Sequence, residues 1–297
     1  MSFEAALRAA GLVPREVVPD GRIRRCKTEA KPGKRNGWYV LHPDGRGAWG
    51  DWTTGSGEAL GRWQDESAEA LRAGADRAKM DEQRRRERDA RIRAMRSARE
   101  FWQRARPMNG LHPYLGAKAL TAHGCSGLRI KGDLLVVPVV HEQWLLSVQT
   151  IDTAGRKLFW PGAPVKGGCY VLERARHAVT CICEGLATGL AVYQAVRGAR
   201  VVVAFDAGNL LPVVQRLRPT GSVVIAADND WGTEHKRGIN PGLDKARNAA
   251  ELIGCGVAAP EGITGTDWAD AAQEWAPRAE RRIERAILAA ARYVPTG

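Results

Sequence analysis

Short apolar runs alternate with segments of helical periodicity from residue 177 to the end of the sequence. The segments 186–196, 209–218 and 241–253 repeat apolar residues every three or four positions. The apolar runs between them are AVTCIC (178–183), ARVVVAF (199–205), GSVVIAA (221–227) and GCGVAA (254–259). Such alternation is typical of a parallel sheet with helices on both faces. It predicts a Rossmann-like α/β domain over 177–297, with about four parallel strands, flanking helices and a loop at 231–240.

Residues 1–58 are predicted to form a small β-rich unit. Turn residues at 36–37 (Asn-Gly) and 43–45 (Pro-Asp-Gly) separate short strand-like runs. A small β unit needs large side chains to bury enough apolar area, so its aromatic residues are expected to form the core; aromatic faces that stack on bases are the alternative. These residues are Trp38, Tyr39, Trp49 and Trp52.

Two further segments precede the α/β domain. Residues 59–106 are predicted to be an Arg-rich helical linker, because no Gly or Pro interrupts the stretch between Ala75 and Arg106. Residues 107–176 contain strand-like runs such as LLVVPVV (134–140) and WLLSVQTID (144–152), joined by a turn at Glu142-Gln143. With one helix expected around 113–123, this segment is predicted to be a basic, mixed α+β subdomain.

The charge of the chain is unevenly placed. Its 297 residues include 45 Lys and Arg against 33 Asp and Glu, a formal net charge of +12. Residues 178–297 hold 13 of each sign, so the whole excess lies in residues 1–177. This division favours a first part that binds a polyanion, joined to a second part with a different function. The alternative is that the extra Arg residues are only solvated surface charges.

Targeting signals and cysteine spacing bear on the expected location of the protein and on the kind of site its cysteines could form. The sequence has no signal-peptide pattern and no run of 18 apolar residues, so we expect a cytoplasmic protein without a membrane span. Six cysteines are scattered without a C-x-x-C pair, which predicts buried thiols and neither a zinc ribbon nor a disulfide framework.

Acidic residues follow the predicted parallel strands. Glu184 ends the first strand, and Asp228 and Asp230 follow the third. Asp267 and Asp270 lie in the sequence TDWAD after the fourth. Ligands bind beyond the carboxyl ends of such strands, where gathered carboxylates repel one another unless they are protonated or bind a cation such as Mg²⁺ or Mn²⁺. A lone D-x-D is more often a turn or a cap, but its pairing with Glu184 favours metal-assisted phosphoryl transfer.

The same residues resemble a Toprim domain, which is shared by bacterial-type primases, type IA and II topoisomerases and some nucleases. The segments ICEGLATGLAVYQAV, VVVAFDAGNLLPVV, VIAADND, NPGLDKARNAA and GTDWAD are similar to the Toprim primases of conjugative plasmids and phages. Upstream, HPYLGAKAL, SVQTIDTAGRKLFWPG and NGWYVLHPDGRGAWGDWTTG are similar to the preceding parts of those primases. The resemblance covers most of the chain and fails over the Arg-rich helix.

The resemblance implies a role for each carboxylate. Glu184 matches the family's general acid/base or metal ligand, and Asp228 and Asp230 match its metal-binding pair, so these three are the predicted catalytic residues. Asp267 and Asp270 are carried over as further metal ligands. The cofactor implied is Mg²⁺ or Mn²⁺.

The sequence departs from the family pattern at three features. Thr188 stands where those primases often have an Asp, four residues after the glutamate. The four zinc ligands of their N-terminal module are missing, so no zinc is expected, and template selection would fall to residues 1–58. No G-x-x-x-x-G-K-[ST] is present, so an ATP-driven helicase is expected to be a separate protein.

Template and triphosphate are expected to bind the basic part of the chain. For any one of its cations a solvated surface position is the alternative. Trp160 is a candidate for stacking on bases, whereas Trp144 is expected to pack in the core. The predicted basic contacts are Arg129, Lys131, Arg156, Lys157 and Lys166.

The function implied is that of a DNA primase. Such an enzyme makes short RNA primers on single-stranded DNA from ribonucleoside triphosphates, here for replication or transfer of a plasmid, phage or integrated element. Two alternatives use the same fold: a Toprim nuclease, and a non-catalytic adaptor that binds single-stranded DNA.

Overall fold

The computed structural model describes residues 2–54, 59–64, 70–108, 111–122, 125–174 and 176–296, without the side chains of 54 and 70–78. It divides into two compact units, residues 1–89 and 90–297. The division falls inside one long helix.

The first unit contains a five-stranded antiparallel sheet whose strands follow one another in chain order. Its elements are α1 (Phe3–Ala9), β1 (Leu12–Val13), β2 (Arg24–Thr28), β3 (Gly37–Leu41), β4 (Arg46–Asp51) and β5 (Gly61–Gln64). Phe3 contacts the rings of Tyr39, Trp49 and Trp63, with centroids 5.5–6.0 Å apart. The predicted aromatic core is therefore confirmed for Tyr39 and Trp49, but Trp52 is 46% exposed and lies beneath a guanidinium instead.

Helix α2 (Ala70–Arg104) is continuous, as the lack of Pro and the Ala, Arg and Glu composition predict. Most of its described side chains are exposed. Near its C-terminus Ala98 is buried, and Phe101 and Trp102 pack against a small apolar cluster that includes Val136 and Val148.

The second unit begins with an antiparallel sheet in the order β10-β9-β8-β7-β6. Its elements are β6 (Arg106–Pro107), α3 (Pro113–Ala117), β7 (Arg129–Lys131), β8 (Leu134–His141), β9 (Trp144–Ile151) and β10 (Lys157–Phe159). Glu142, at a φ of 55°, makes the predicted turn between β8 and β9. Helix α3 is shorter than predicted, because Ala119 has a φ of 52° and cannot continue it.

The prediction that Trp144 packs in the core is wrong. Its side chain is 57% exposed. Trp144 pairs with His141 at the last rung of the β8–β9 ladder, so the hairpin carries it past the end of the apolar cluster.

The rest of the second unit is built on a six-stranded sheet. Four strands are parallel, in the order β13-β12-β14-β15, and this confirms the predicted α/β core. Two antiparallel strands, β11 and β16, extend it beyond the prediction. Its elements are β11 (Tyr170–Leu172), β12 (Val179–Cys183), α4 (Leu186–Ala195), β13 (Ala199–Val203), α5 (Ala207–Leu217), β14 (Gly221–Ala226), α6 (Trp231–Arg237), α7 (Pro241–Glu251), β15 (Gly256–Ala258), α8 (Trp268–Glu274), α9 (Ala279–Ala290) and β16 (Arg292–Val294).

Helices cover both faces of this sheet. Helices α4, α8 and α9 pack together on one face, and α5 and α7 pack on the other. Gly189 allows α4 to lie directly on β13, since a Cβ there would come within 2.7 Å of Val203 Cγ2. The predicted loop at 231–240 is wrong in part, because α6 occupies 231–237. Among the described residues, no helix combines the length and the apolar character that crossing a membrane requires.

Candidate metal and nucleotide site

The pairing register of the parallel strands brings the predicted acids to one edge of the sheet. Strand β12 lies between β13 and β14, and its last residue, Cys183, is paired with Val203 and Ala226. Glu184 follows Cys183 directly, and Asp228 lies two residues beyond Ala226. Both carboxylates therefore leave the carboxyl ends of neighbouring strands, as predicted.

Asp228 is the most strongly perturbed of these carboxylates. Burial raises the pKa of Asp228 to about 7, and the charges of Glu184 and Asp267 act in the same direction. The buried hydroxyl of Thr188 donates a hydrogen bond to Asp228 Oδ1 at 3.0 Å, which stabilises the ionised form. The residue that replaces the family's Asp is thus a direct partner of a predicted catalytic acid.

Glu184 is held at the N-terminus of a neighbouring helix. Burial, followed by the charges of Asp230 and Asp206, raises the pKa of the Glu184 carboxyl. A hydrogen bond from the backbone N–H of Ala207 and the charge of Lys157 oppose that shift. Glu184 is therefore poised to accept a proton more readily than an ordinary glutamate.

Asp206 is a fourth acid at this edge that the sequence analysis missed. It follows β13 and occupies the N-cap position of α5, but its side chain makes no capping hydrogen bond. The preceding residue, Phe205, has a φ of 76°, a region that bulky residues avoid, and its ring packs edge-on against Phe159. The rule that identified Glu184, an acid directly after a buried strand, would have found Asp206 as well.

Asp230 is fixed by the loop that leads into α7. Its Oδ2 accepts a hydrogen bond from the backbone N–H of Gly242 at 3.2 Å. Asn240 Oδ1 accepts one from the backbone N–H of Asp230 at 3.1 Å. Only glycine fits at 242, since a Cβ there would lie 2.9 Å from the carbonyl oxygen of Asp228.

Asp267 and Asp270 form the N-terminal capping box of α8. Both also pair with Lys118 Nζ, at 3.4 and 3.1 Å. Burial alone would lower the pKa of Lys118, and the two carboxylates outweigh it and raise that pKa. One ammonium thus offsets part of the charge of these two acids, and their role as metal ligands stays a prediction.

Lys157 is the predicted nucleotide contact that the structure brings to the acids. It lies at the start of the edge strand β10, and its charge acts on both Glu184 and Asp228. A Cβ added to Gly185 would lie 3.7 Å from Lys157 Nζ. Arg156 and Lys166 are exposed, and their roles stay predictions.

The other predicted contacts pack around the C-terminal end of α2. Arg129 stacks on Trp102 at 3.7 Å and donates to three carbonyl oxygens there, those of residues 102, 103 and 105. Lys131 lies over the ring of Phe101 at 4.4 Å, and Trp160 packs against the same ring at 4.6 Å. These contacts stabilise the end of the helix, and binding of nucleic acid by the three residues stays a prediction.

The donors at the strand ends suit a hard divalent cation. All are carboxylate oxygens. The positive charge of Lys157 acts on both Glu184 and Asp228. Among the described residues no three His, Cys, Asp or Glu side chains form a ready-made metal cage. Mg²⁺ commonly takes one or two carboxylates and completes its shell with water and phosphate oxygens, so spread carboxylates fit a site that a nucleotide helps to build.

Comparison with known proteins agrees with this geometry. Residues 179–277 match the family described as the Toprim domain. The chain is also 31% identical over 278 residues to a DNA primase TraC of Escherichia coli, which covers 85% of this chain and 25% of the relative. A second Escherichia coli DNA primase TraC is 30% identical over 277 residues, 85% of this chain and 19% of that protein. The chain thus spans a quarter or less of the length of these relatives.

Solved primase structures show weaker likeness. The primase fragment of the bacteriophage T7 primase-helicase protein aligns with a TM-score of 0.43 and 11% identity, over 61% of this chain and 76% of that one. The DnaG primase catalytic domain bound to single-stranded DNA aligns with a TM-score of 0.43 and 15% identity, over 69% and 84% of the two chains.

Proposed function

We propose that this chain, whose residues 179–277 form a Toprim domain, is the primer-synthesising part of a DNA primase of the mobile-element type. The observation that carries the proposal is the meeting of Glu184 and Asp228 at one sheet edge, in a chain similar over 85% of its length to a DNA primase. The proposed substrates are single-stranded DNA and ribonucleoside triphosphates. The proposed setting is the cytoplasm, with a separate replicative helicase as partner.

Glu184, Asp228 and Asp230 are the proposed ligands of Mg²⁺ or Mn²⁺. When bound, the metal would neutralise charge on the transferring phosphate and align the attacking 3′-hydroxyl. The Thr188 hydroxyl would hold Asp228 Oδ1, which leaves Oδ2 free to face a cation. The Gly242 N–H would hold Asp230 in the same way.

Two further residues have proposed tasks in the transfer. Glu184, whose pKa is raised, would accept the proton of the 3′-hydroxyl as the new bond forms. Lys157 would contact phosphate oxygens at the edge of the sheet, because its ammonium is exposed yet close to the acids.

The test is incubation of the whole chain with single-stranded DNA, Mg²⁺ and labelled ribonucleoside triphosphates. Template-dependent short RNA is expected, and Asp230→Asn should abolish it. Asp244→Asn, which changes an exposed carboxylate on α7, is the matched control and should keep the activity. Degradation of the DNA without RNA synthesis would identify a nuclease, and DNA binding without either reaction would identify an adaptor.

A further inference from the structure

Helix α6 lies directly after Asp230, yet none of its side chains is buried. A helix on a globular protein normally buries one apolar stripe, and a seven-residue helix has little stability of its own. Packing in the core therefore does not account for the presence of α6.

Polar contacts hold α6 in place. The indole N–H of Trp231 donates to the carbonyl oxygen of Gly265 at 2.9 Å. Asn240, buried beyond the helix, donates to Glu234 Oε2 at 3.0 Å. Trp231 thus connects the loop that carries Asp230 with the loop that leads to Asp267.

These contacts leave much of the Trp231 side chain exposed. Trp231 is 46% exposed although its one donor is already used within the protein. A ligand can then meet only its aromatic surface. Ile239, at the other end of the helix, is 52% exposed.

The last turn of α6 is basic. His235, Lys236 and Arg237 are all exposed, and within the described residues none of them pairs with a carboxylate. The acid of the helix, Glu234, accepts from Asn240 instead. His235, four residues after Trp231, lies on the same face of the helix, and Lys236 and Arg237 follow it around the axis. An exposed aromatic ring on the same short helix as unpaired cations is a combination that binds unpaired bases together with phosphates.

We infer that Trp231 stacks on an unpaired nucleobase and that the basic last turn of α6, residues 235–237, contacts phosphates of the same strand or nucleotide. The template strand and a nucleoside triphosphate share this chemistry. The inference rests on the proposed function only in its choice of a nucleic-acid ligand, and it adds a binding surface on the helix that directly follows Asp230.

Binding experiments without catalysis test it. Trp231→Ala, Trp231→Phe and Tyr293→Ala are compared by fluorescence anisotropy with a labelled single strand of about 12 nucleotides and with an abasic strand of the same length. Tyr293 is the control, since it is 75% exposed and pairs with Ser222 at the start of β14, the end of that strand away from the acids. A fluorescent ribonucleoside triphosphate is the second probe.

Loss of one stacked base should weaken binding by Trp231→Ala about 5- to 150-fold for whichever probe stacks there. Trp231→Phe should recover most of the affinity, and Tyr293→Ala should change little. If the stacked base belongs to the template, the wild-type protein should bind the abasic strand about as weakly as Trp231→Ala binds the normal strand. A selective loss for the triphosphate would assign the site to the incoming nucleotide.

Unchanged binding of both probes by a folded Trp231→Ala protein would overturn the inference. So would an equal loss for the normal and abasic strands without any loss for the triphosphate. These outcomes can be told apart from the test of the proposed function. If the wild-type chain makes RNA but Trp231→Ala binds both probes normally, only the stacking site is rejected. If the wild-type chain makes no RNA but Trp231→Ala shows the expected loss of binding, only the activity is rejected.

Discussion

Replacing Asp228 by Asn should stabilise the protein at alkaline pH. The pKa of Asp228 is raised from its ordinary 3.8 to about 7, so the folded chain holds a proton that the unfolded chain releases. Stability therefore falls as pH rises from about 4 to about 7, and the full penalty remains above that range. Asparagine carries no such charge, and its oxygen can still accept the hydrogen bond of Thr188.

The size of the effect follows from the shift. Each pH unit of displacement corresponds to about 1.4 kcal/mol, so the penalty at pH 8 is about 4 kcal/mol at most. Partial exposure of the group and relaxation of its surroundings reduce this to about 2 kcal/mol. For a unit of this size, 2 kcal/mol corresponds to a rise in Tm of about 4–8 °C.

The assay is thermal unfolding at pH 5 and pH 8, with and without Mg²⁺. The advantage of Asp228→Asn should grow between the two pH values, and Asp244→Asn should show no such growth. Added Mg²⁺ should stabilise the wild-type protein at pH 8 and stabilise Asp228→Asn much less, because a ligand that binds only the folded state raises its stability. A variant that is less stable than wild type at pH 8, or equally stabilised by Mg²⁺, would refute the reasoning.

Three further predictions concern other parts of the molecule. Thr188→Val should raise the apparent Kd for Mg²⁺, measured by thermal stabilisation, about tenfold, because the hydrogen bond that favours ionised Asp228 is lost. Thr188→Ser should restore the wild-type Kd, and an unchanged Kd in Thr188→Val would contradict the role of this contact. Lys118→Met leaves the half-buried Asp267 and Asp270 unpaired, so a Tm lower by several degrees is expected at pH 7. The loss should persist to about pH 4 and shrink below it, because the pKa of Asp270 is lowered from 3.8; a loss that already disappears at pH 5 would contradict this. Elemental analysis of the purified chain should find no stoichiometric zinc, because residues 1–64 contain one Cys and one His; one zinc per chain would contradict it.

Local sequence was sufficient to predict the α/β core. The runs at 178–183 and 221–227 are apolar except for Thr180 and Ser222, because a central parallel strand is buried on both faces, and they form β12 and β14. Glu184 and Asp228 could be predicted as neighbours since parallel strands end at the same edge. Asp206, which follows β13 after two further apolar residues, obeys the same rule.

The sequence could not predict features that depend on distant contacts. Helix α6 has no apolar stripe to reveal it, and it forms through hydrogen bonds to Gly265 and Asn240. Trp144 lies in an apolar run, but the position of the hairpin turn decides its exposure. The sequence does not distinguish Arg129 from other surface cations, because its contacts depend on where the fold places the C-terminal end of α2.

The sequence by itself determined which segments become buried strands and which acids follow them, because burial and turn formation depend on residues close together along the chain. Only the tertiary structure decided how each acid is used. Lys118 pairs with both Asp267 and Asp270 and offsets part of their charge, whereas no described cation forms an ion pair with Asp228 or Glu184, which lie half-buried near each other. Charge interactions depend on distance and desolvation in space, and partners 149 residues apart along the chain are not visible in a local pattern.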